Sequence, residues 1–484
     1  MTEQAARRTY LAAILLGLLF LLPACGGNDG GLFDGLAGSE FWAFDFGAGD
    51  YYKVSAREVG NGRYCRVYVE AGRTVPQASI DNIVSQFDNV IYPSVSNTFG
   101  SPPNPGIDGD PRITLLILDI RDAVGADGGV TTGYFTAVNE FTQAALAAAG
   151  FPDKSNAREM IYLNASFPVP GSPKFFRVVA HELQHMVHFE QKDRRLSVSD
   201  DTWLNEAMSE SAPLFCGFGP DTDRVDLFAR NPSDSLTIWD GKLADYSAVY
   251  MWSQYIHDRY PPTLFRTALA DNAIGVASIS DALAVYSAPN TSTTFAGLFR
   301  DWTMANITAA DNALMNAVGF LPQWQYTTTL SLASMFTAST DRTNPGLTPP
   351  LRQWSADYYQ FQRFSPPLAG TVSWSPASGQ NSASFFSVND NTLVLDVPPG
   401  SVLPYSGKGY LVVRNESGVD NTTLTPVPIT VTPSVILGAL MQAPAGAVRR
   451  ADVAASGEPH VRCGFDRFER RAREIRARGL RVRF

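Results

Sequence analysis

The residues best suited to do chemistry are the sequence His-Glu-Leu-Gln-His at positions 181–185. A spacing of i to i+4 puts His181 and His185 on one face of a helix, one turn apart, so both imidazoles can bind one metal ion. Glu182 follows the first histidine and can place its carboxylate beside a water molecule on that metal. Because the chain has five histidines, we expect this pattern by chance only about twice in a thousand such chains. The pattern therefore predicts a metal site that activates water.

A zinc ion that keeps one position open for water needs a third protein ligand. Glu190 lies nine residues after the first histidine of the motif, on the opposite side of the helix, and should face away. His188 and Gln191 occupy the positions at which the metzincin pattern requires glycine and histidine, so the sequence excludes that class. The better candidate lies in segment 203–210. Twenty residues separate the motif from Glu206, enough for a loop and a second helix packed against the first.

Segment 203–210 reads Trp-Leu-Asn-Glu-Ala-Met-Ser-Glu. H-E-x-x-H followed at this distance by N-E-A-x-S-[DE] resembles the gluzincin metallopeptidases, the group that contains thermolysin. More narrowly, residues 180–189, segment 203–210 and the upstream Gly-Tyr-Phe at 133–135 resemble the hyicolysin-type bacterial neutral metalloproteases. The resemblance covers roughly residues 80–310 and depends on the two zinc motifs.

This resemblance implies a role for each acidic and basic residue of the two motifs. It makes His181, His185 and Glu206 the ligands of one zinc ion per chain, and Glu182 the general base. It also matches Glu210 to the acidic position that orients a ligand histidine in gluzincins. Glu206 and Glu210 share a helix face at i, i+4, and a ligand imidazole usually donates its other N–H to a carboxylate. The alternative for Glu210 is an exposed helix charge.

The reaction implied by the resemblance is hydrolysis of a peptide bond. Zinc polarises the scissile carbonyl and acidifies its water, while Glu182 takes a proton from the water and delivers it to the leaving amine. Such a site also needs a hydrogen-bond donor for the oxyanion. Tyr246 and His257 are eleven residues apart, roughly 16 Å along a helix, so both cannot serve one zinc. We expect Tyr246 to do so, with a core aromatic as the alternative, and expect surface or packing roles for His257 and His188.

Hydrophobic periodicity indicates the elements that position these residues. Strand-like runs within residues 51–69 predict a hairpin, and the apolar run Ile113–Ile120 predicts a buried central strand. Amphipathic spacing predicts a helix over Gln77–Ile91, and a helix over Lys174–Glu190 carries the first motif. Helical periodicity then dominates from Trp203 to Ile307.

The composition changes beyond Asp357, where short strand-like runs separated by turn residues predict an antiparallel β-sandwich-like domain. Residues 449–484 contain eleven Arg and five acidic residues, which favours a solvated helix or disorder. The predicted fold class is α+β: a gluzincin-like catalytic domain, with a mixed sheet, an active-site helix and a mostly helical second lobe, precedes the β domain. The predicted divisions are a lipoprotein signal peptide at 1–24, a flexible tether at 25–45, an N-terminal β region at 46–75, a zinc metallopeptidase domain at 76–345, the β-sandwich-like domain at 350–440 and an Arg-rich tail at 441–484.

The N-terminal residues predict export. Arg7 and Arg8 precede an apolar run, Tyr10–Leu22, that is too short to span a bilayer comfortably. The run leads into Leu-Pro-Ala-Cys-Gly, which resembles the lipobox of bacterial lipoproteins and makes Cys25 the lipidated first residue of the mature chain. We therefore expect an extracytoplasmic protein held by lipid on a bacterial membrane, in the cell envelope or at the cell surface. A secreted protein is the alternative.

Charge and cysteine content limit the partners. A formal net charge of −9 argues against binding to nucleic acid. The expected partners are protein or peptide substrates and, through the N-terminal lipid, a membrane, and the chain is expected to be a monomer. With the first cysteine lipidated, Cys65, Cys216 and Cys463 allow at most one internal disulfide, whose pairing stays open.

Three functions are compared against these sequence features. A zinc-dependent endopeptidase that cuts extracytoplasmic proteins explains both motifs and is the predicted function. A surface-anchored adhesion or binding lipoprotein with a structural or inactive zinc site would need a fourth protein ligand, and none is evident at suitable spacing. An aminopeptidase usually needs an acidic anchor for the free α-amine, and the sequence has no G-x-M-E-N-type element to supply one.

Overall fold

The computed structural model describes residues 39–122, 130–286, 288–339, 351–362, 369–374, 381–418, 429–433, 461–463, 468, 471, 473 and 474. The predicted signal peptide, the lipidation site Cys25 and most of the Arg-rich tail lie outside these residues. Among the residues described, no helix combines the length and the apolar character needed to cross a membrane.

The strands belong to three sheets. They are β1 (Ser39–Asp45), β2 (Asp50–Asn61), β3 (Cys65–Glu70), β4 (Ile113–Leu118), β5 (Val130–Phe135), β6 (Met160–Asn164), β7 (Thr337–Ser339), β8 (Ser355–Gln362), β9 (Ala369–Trp374), β10 (Asn381–Ser387), β11 (Thr392–Val394), β12 (Val402–Ser406), β13 (Lys408–Asn415), β14 (Ile429–Pro433) and β15 (Val461–Cys463). Within the described residues, the largest sheet has the order β1-β2-β3-β4-β6-β5-β15. Strands β3, β4 and β6 run parallel, and β5 runs antiparallel to β6. This mixed sheet confirms the α+β class.

Strand β4 lies at the centre of this sheet because its sequence, Ile-Thr-Leu-Leu-Ile-Leu, suits burial on both faces, and all six of its residues are buried. Side chains alternate between the two faces. Leu115 and Ile117 join the hydrophobic cluster that includes the helices, whereas Leu116 and Leu118 join a second cluster on the opposite face. The predicted buried central strand is confirmed, and it ends at Leu118 rather than at Ile120.

The predicted N-terminal hairpin is present as β2 and β3, and it belongs to the main sheet. Strand β3 pairs in parallel with β4, so the sheet crosses the predicted boundary between the 46–75 region and the catalytic domain. Strand β1 pairs along its whole length with β2. The segment 25–45, which the sequence predicts as a tether, therefore ends in a paired strand.

Helices follow the sheet strands and dominate the middle of the chain. They are α1 (Gln77–Gln86), α2 (Tyr92–Phe99), α3 (Gln143–Ala148), α4 (Pro173–His188), α5 (Thr202–Phe215), α6 (Thr222–Arg230), α7 (Leu243–Arg259), α8 (Thr263–Leu269), α9 (Gly275–Ala284) and α10 (Phe295–Ala310). Short 3-10 helices lie at Ala137–Glu140, Asn312–Asn316 and Ala333–Met335. The predicted helical character from Trp203 to Ile307 is confirmed.

The first predicted helix changes its hydrogen-bonding pattern near its end. Helix α1 stops at Gln86, a π-helical turn follows at Phe87–Ile91, and α2 continues the chain. Pro93 in the first turn of α2 has no N–H to donate, so the regular i to i−4 pattern is interrupted there. Asp88 in the π turn accepts backbone hydrogen bonds of 2.6 and 2.8 Å from the loop between β2 and β3, which ties this helix to the hairpin.

The C-terminal β-rich region contains the other two sheets. Within the described residues, one has the order β11-β10-β13-β8-β7 and the other has the order β12-β9-β14. Buried side chains of both sheets belong to one hydrophobic cluster, with Phe385 and Leu411 from the first sheet and Trp374 and Tyr405 from the second. The two sheets therefore share one hydrophobic cluster, while Phe386 and Tyr410 of the first sheet belong to the main cluster that contains the helices.

The described residues of the Arg-rich tail contact the rest of the folded chain. Strand β15 adds to the main sheet by pairing with β5. Phe468 is buried in the cluster on the sheet face opposite the helices. Arg471 forms an ion pair with Asp153 at 2.9 Å. The described residues of the tail therefore place one apolar side chain in a hydrophobic cluster and one cation beside an acidic residue of the folded chain.

Two of the cysteines are buried thiols. Cys65 in β3 and Cys216 after α5 are both free. Burial raises the pKa of each thiol to about 12, so both stay protonated and unreactive near neutral pH.

Candidate metal centre

Three predicted ligand residues meet between α4 and α5. His181 Nε2 lies 3.1 Å from His185 Nε2 and 3.4 Å from a carboxylate oxygen of Glu206, and His185 Nε2 lies 3.7 Å from the other oxygen. One ligand atom from each residue falls within 4.8 Å of the other two, and all three residues are buried. Among the residues described, no other group of histidine, cysteine, aspartate and glutamate side chains forms such a cluster.

Helix α4 presents the two imidazoles because it begins and packs in a defined way. The Ser172 hydroxyl accepts a hydrogen bond from the N–H of Phe175 (3.3 Å), and Pro173 suits the first turn. Apolar residues such as Val179 and Leu183 bury the helix in the main core. The helix ends at His188, two residues before the predicted end, and passes into a π-helical turn.

The tautomer of His185 follows from its neighbours on α5. Its Nδ1 lies 2.9 Å from the amide oxygen of Asn205. Because an amide oxygen only accepts, Nδ1 donates its proton there and Nε2 keeps a lone pair for a metal. Ser209 Oγ also lies 2.9 Å from the same Nδ1. Neither Asn205 nor Ser209 is among the predicted site residues, although both belong to the second motif.

Glu210 lies behind the other histidine, as the resemblance implies. One of its oxygens is 3.9 Å from His181 Nδ1, which is too far for a direct hydrogen bond. The same oxygen accepts a 2.8 Å hydrogen bond from Arg224 on α6, and the Glu210 side chain is buried. It is therefore not an exposed helix charge. Arg224 was missed because no motif surrounds it in the sequence.

Burial keeps both imidazoles neutral. It lowers the pKa of His181 to about 3, with a further contribution from the Arg224 cation. Burial also lowers the pKa of His185 well below its ordinary value. Neutral imidazole is the form that binds a metal, so the pair is ready to coordinate across the physiological pH range.

Glu182 is buried on α4 next to strand β5. A Cβ atom added at Gly133 would lie 3.3 Å from Glu182 Cγ and 2.7 Å from Val178 Cγ1. Only glycine therefore allows the strand to pass this close to the helix. The glycine belongs to the Gly-Tyr-Phe element that the sequence analysis singled out, and its place gives that element a physical reason.

The predicted oxyanion donor Tyr246 is buried, and it contacts Arg224, which bonds to Glu210 rather than to one of the three ligand residues. The Arg224 guanidinium is 4.9 Å from its ring centre, and Trp239 packs edge-on against it at 4.8 Å. His257, the other candidate for the oxyanion donor, has different neighbours. Its ring centre lies 5.0 Å from that of Phe215, and its Nδ1 lies 3.1 Å from Asp258, to which it can hydrogen-bond. The contacts of His257 agree with the packing role expected for it.

The helix that carries Tyr246 begins at an acidic pair. The Asp245 carboxylate accepts hydrogen bonds of 2.8 and 2.9 Å from the backbone N–H groups of Asp240 and Lys242. Burial and the neighbouring Asp245 raise the pKa of Asp234 to about 7. Because the pKa of Asp234 is higher in the folded than in the unfolded chain, this carboxyl group stabilises the fold at acid pH. The stabilisation is lost as the pH rises toward 7.

We expect Asp234→Asn to remove this dependence. Between pH 4 and pH 8 the ionisation of Asp234 should cost the wild-type chain about 4 kcal/mol of unfolding free energy, which the variant does not lose. Urea unfolding of both proteins at several pH values would measure the difference, so that contributions shared by the two chains cancel. Parallel stability profiles for the two proteins would contradict the shifted pKa.

Two imidazole nitrogens and one carboxylate, buried on packed helices, match the donor set of a catalytic zinc site with three protein ligands. The mixed α+β fold is compatible with a metalloprotease. Asn205 accepts a hydrogen bond from His185 in the way usual for a metal-binding histidine, and Glu210 lies 3.9 Å from the corresponding nitrogen of His181. The fold and the site therefore define a metal-dependent hydrolase as the class to compare with.

The chain is similar to the neutral metalloprotease ShpI of Staphylococcus hyicus, with 28% identity over 220 residues. The match covers 42% of this chain and 47% of that relative, less than half of either protein. No protein-family profile matches the chain. The similarity and the His-His-Glu cluster both support a metalloprotease.

Proposed function

We propose that this protein is a zinc-dependent metalloendopeptidase that hydrolyses peptide bonds in extracytoplasmic proteins. The observation that carries the proposal is the buried meeting of His181, His185 and Glu206. The relative called a neutral metalloprotease supports the same class. These three residues would hold one zinc ion per chain, which supplies a Lewis acid that polarises a carbonyl and lowers the pKa of water.

The residues of the chain would do the rest of the chemistry. Glu182 would accept a proton from the attacking water and return it to the leaving amine, and its position next to His181 on α4, close to Gly133 of β5, supports this role. Glu210 would orient His181, and Asn205 would orient His185. Tyr246 would donate a hydrogen bond to the oxyanion, and its contact with Arg224, which bonds to Glu210, supports a place near the site.

The surrounding segments complete the proposal. Cys25, at the end of the lipobox-like sequence, would carry the lipid that holds a monomer on the outside of a bacterial membrane. The two C-terminal sheets would pack as a sandwich-like accessory domain, which their shared hydrophobic cluster supports. Protein or peptide substrates would reach the site from outside the cytoplasm.

Digestion of an unfolded protein tests this function directly. We expect the purified chain to cut a denatured substrate at internal bonds, to stop when 1,10-phenanthroline is added, and to recover when zinc is restored. Mass spectrometry of the products separates internal cuts from removal of single N-terminal residues. Absence of any cleavage, with zinc bound, would favour a binding lipoprotein with a structural site instead.

A further inference from the structure

The outer edge of strand β5 is occupied by the C-terminal tail. Strand β15 pairs with it in parallel, with Val461 opposite Val130, Arg462 opposite Thr131 and Cys463 opposite Gly133. The order of the sheet makes β5 the edge strand apart from this addition. An edge strand presents unpaired backbone N–H and C=O groups, to which an extended peptide can add as a further strand.

This edge runs past the proposed catalytic base. Gly133 is the residue of β5 that a side chain would bring into contact with Glu182 on α4. Its partner in the tail, Cys463, is one strand away, about 4.8 Å in the direction of the backbone hydrogen bonds. The tail backbone and an extended substrate would therefore compete for the same hydrogen-bonding groups.

The tail is held by contacts that lie away from the three ligand residues. The Phe468 ring packs against Phe44 and Tyr134, with ring centres 5.4 Å apart in both pairs. The Arg471 guanidinium pairs with Asp153 at 2.9 Å and lies over the ring of Phe151. An apolar anchor and a matched ion pair beyond the strand stabilise its docked position.

We propose that the C-terminal tail is autoinhibitory, with β15 covering the β5 edge on which an extended peptide substrate would pair, and with Phe468 and Arg471 holding it there. This inference rests on the proposed peptidase function and adds its regulation. Because the docked tail competes with substrate inside one chain, it raises the apparent KM and leaves kcat unchanged. Release of the tail, by a partner or by proteolysis, activates the enzyme.

Reversing the charge of Arg471 tests the proposal without changing a residue of the metal site. Arg471→Asp places two acids together, and we expect KM for an internally quenched peptide to fall about fivefold or more with kcat unchanged. The matched control is Arg66→Asp, because Arg66 also pairs with an aspartate, Asp110, at 2.9 Å and has the same 31% side-chain exposure. An unchanged KM in the Arg471 variant, or an equal fall in the control, would overturn the inference.

A disulfide lock tests the strand itself. Val130→Cys and Val461→Cys face each other in the register, and Cys463→Ser removes the neighbouring thiol. We expect the oxidised triple variant to lose peptide hydrolysis by about twentyfold or more and to regain it on reduction, as competition by a permanently docked strand requires. A bond that does not form, or an oxidised form as active as the reduced one, contradicts a docked inhibitory tail.

The two proposals fail in different ways. In one outcome, the reduced triple variant and the wild type both cleave peptide while neither Arg471→Asp nor the disulfide alters hydrolysis. In that case the peptidase function stands and the autoinhibition is wrong. If no form of the protein hydrolyses any peptide while all of them hold zinc, the peptidase function is wrong and the inference falls with it. Activity in the Arg471→Asp variant well above that of the wild type supports both.

Discussion

Glu182→Gln should lower kcat for peptide hydrolysis by about 1000-fold, within the range that general acid–base catalysis contributes, while the protein keeps its zinc. Glutamine has the same shape as glutamate but cannot accept and return a proton. The residue is buried on α4 between the two histidines that form the metal cluster, and it is not a member of that cluster. The substitution therefore separates proton transfer from metal binding. Steady-state kinetics on a short peptide and zinc analysis of the same sample measure both effects.

A suitable control is Glu190→Gln. Glu190 follows α4, is also buried, and pairs with Arg194, whose hydrogen bonds a glutamine oxygen can still accept in part. We expect kcat of this variant to stay within about threefold of the wild-type value, since Glu190 is neither a proposed metal ligand nor the proposed general base. A Glu182→Gln enzyme that turned over at a third of the wild-type rate or faster would remove Glu182 from the mechanism.

Local patterns account for the parts of the site that sequence could predict. The spacing of His181 and His185 determines their common helix face whatever the rest of the fold does. The apolar residues around them indicated a packed helix, and both histidines are indeed buried. That Glu206 would reach them depends on how α5 packs against α4, a long-range arrangement for which the family resemblance supplied the expectation.

No local sequence pattern indicated the side chains that contact the ligand residues from outside. Arg224 lies on α6 in a sequence context typical of an exposed helix, yet it is buried against Glu210. Asn205 could have been predicted as a site residue, because it precedes Glu206 inside the second motif. Its role depends on the position of one nitrogen atom of His185, which only coordinates reveal.

Composition could not show which residues of the tail contact the rest of the chain. The eleven arginines of this segment favoured a solvated tail, but an arginine can also form an ion pair with an acidic residue of the folded chain. Arg471 finds Asp153 across more than three hundred residues of chain. The pairing of β15 with β5 is equally non-local, and a three-residue strand carries no periodicity that a sequence pattern could reveal.

Glu206→Gln should weaken zinc binding by on the order of 100-fold or more, since residues that only orient metal ligands already cost 10- to 100-fold when changed. The amide keeps the shape of the side chain but removes the negative charge that offsets the cation. Glu210→Gln is the matched control on the same helix, one turn away and also buried. It should cost less, because its carboxylate meets the cluster only through His181. Competition with a fluorescent zinc chelator measures the affinities of all three proteins.

The same substitution should have opposite effects on stability with and without metal. In the apo protein, the Glu206 carboxyl group is fully buried beside two neutral imidazoles, and an amide of nearly the same shape brings no charge into that site. The apo variant should therefore melt at or above the temperature of apo wild type. Zinc should raise the melting temperature of the wild type, because a ligand that binds only the folded state stabilises it, and should raise that of the variant far less. A variant that gains as much from zinc as the wild type would show that Glu206 is not a ligand, even though it lies between the two histidines.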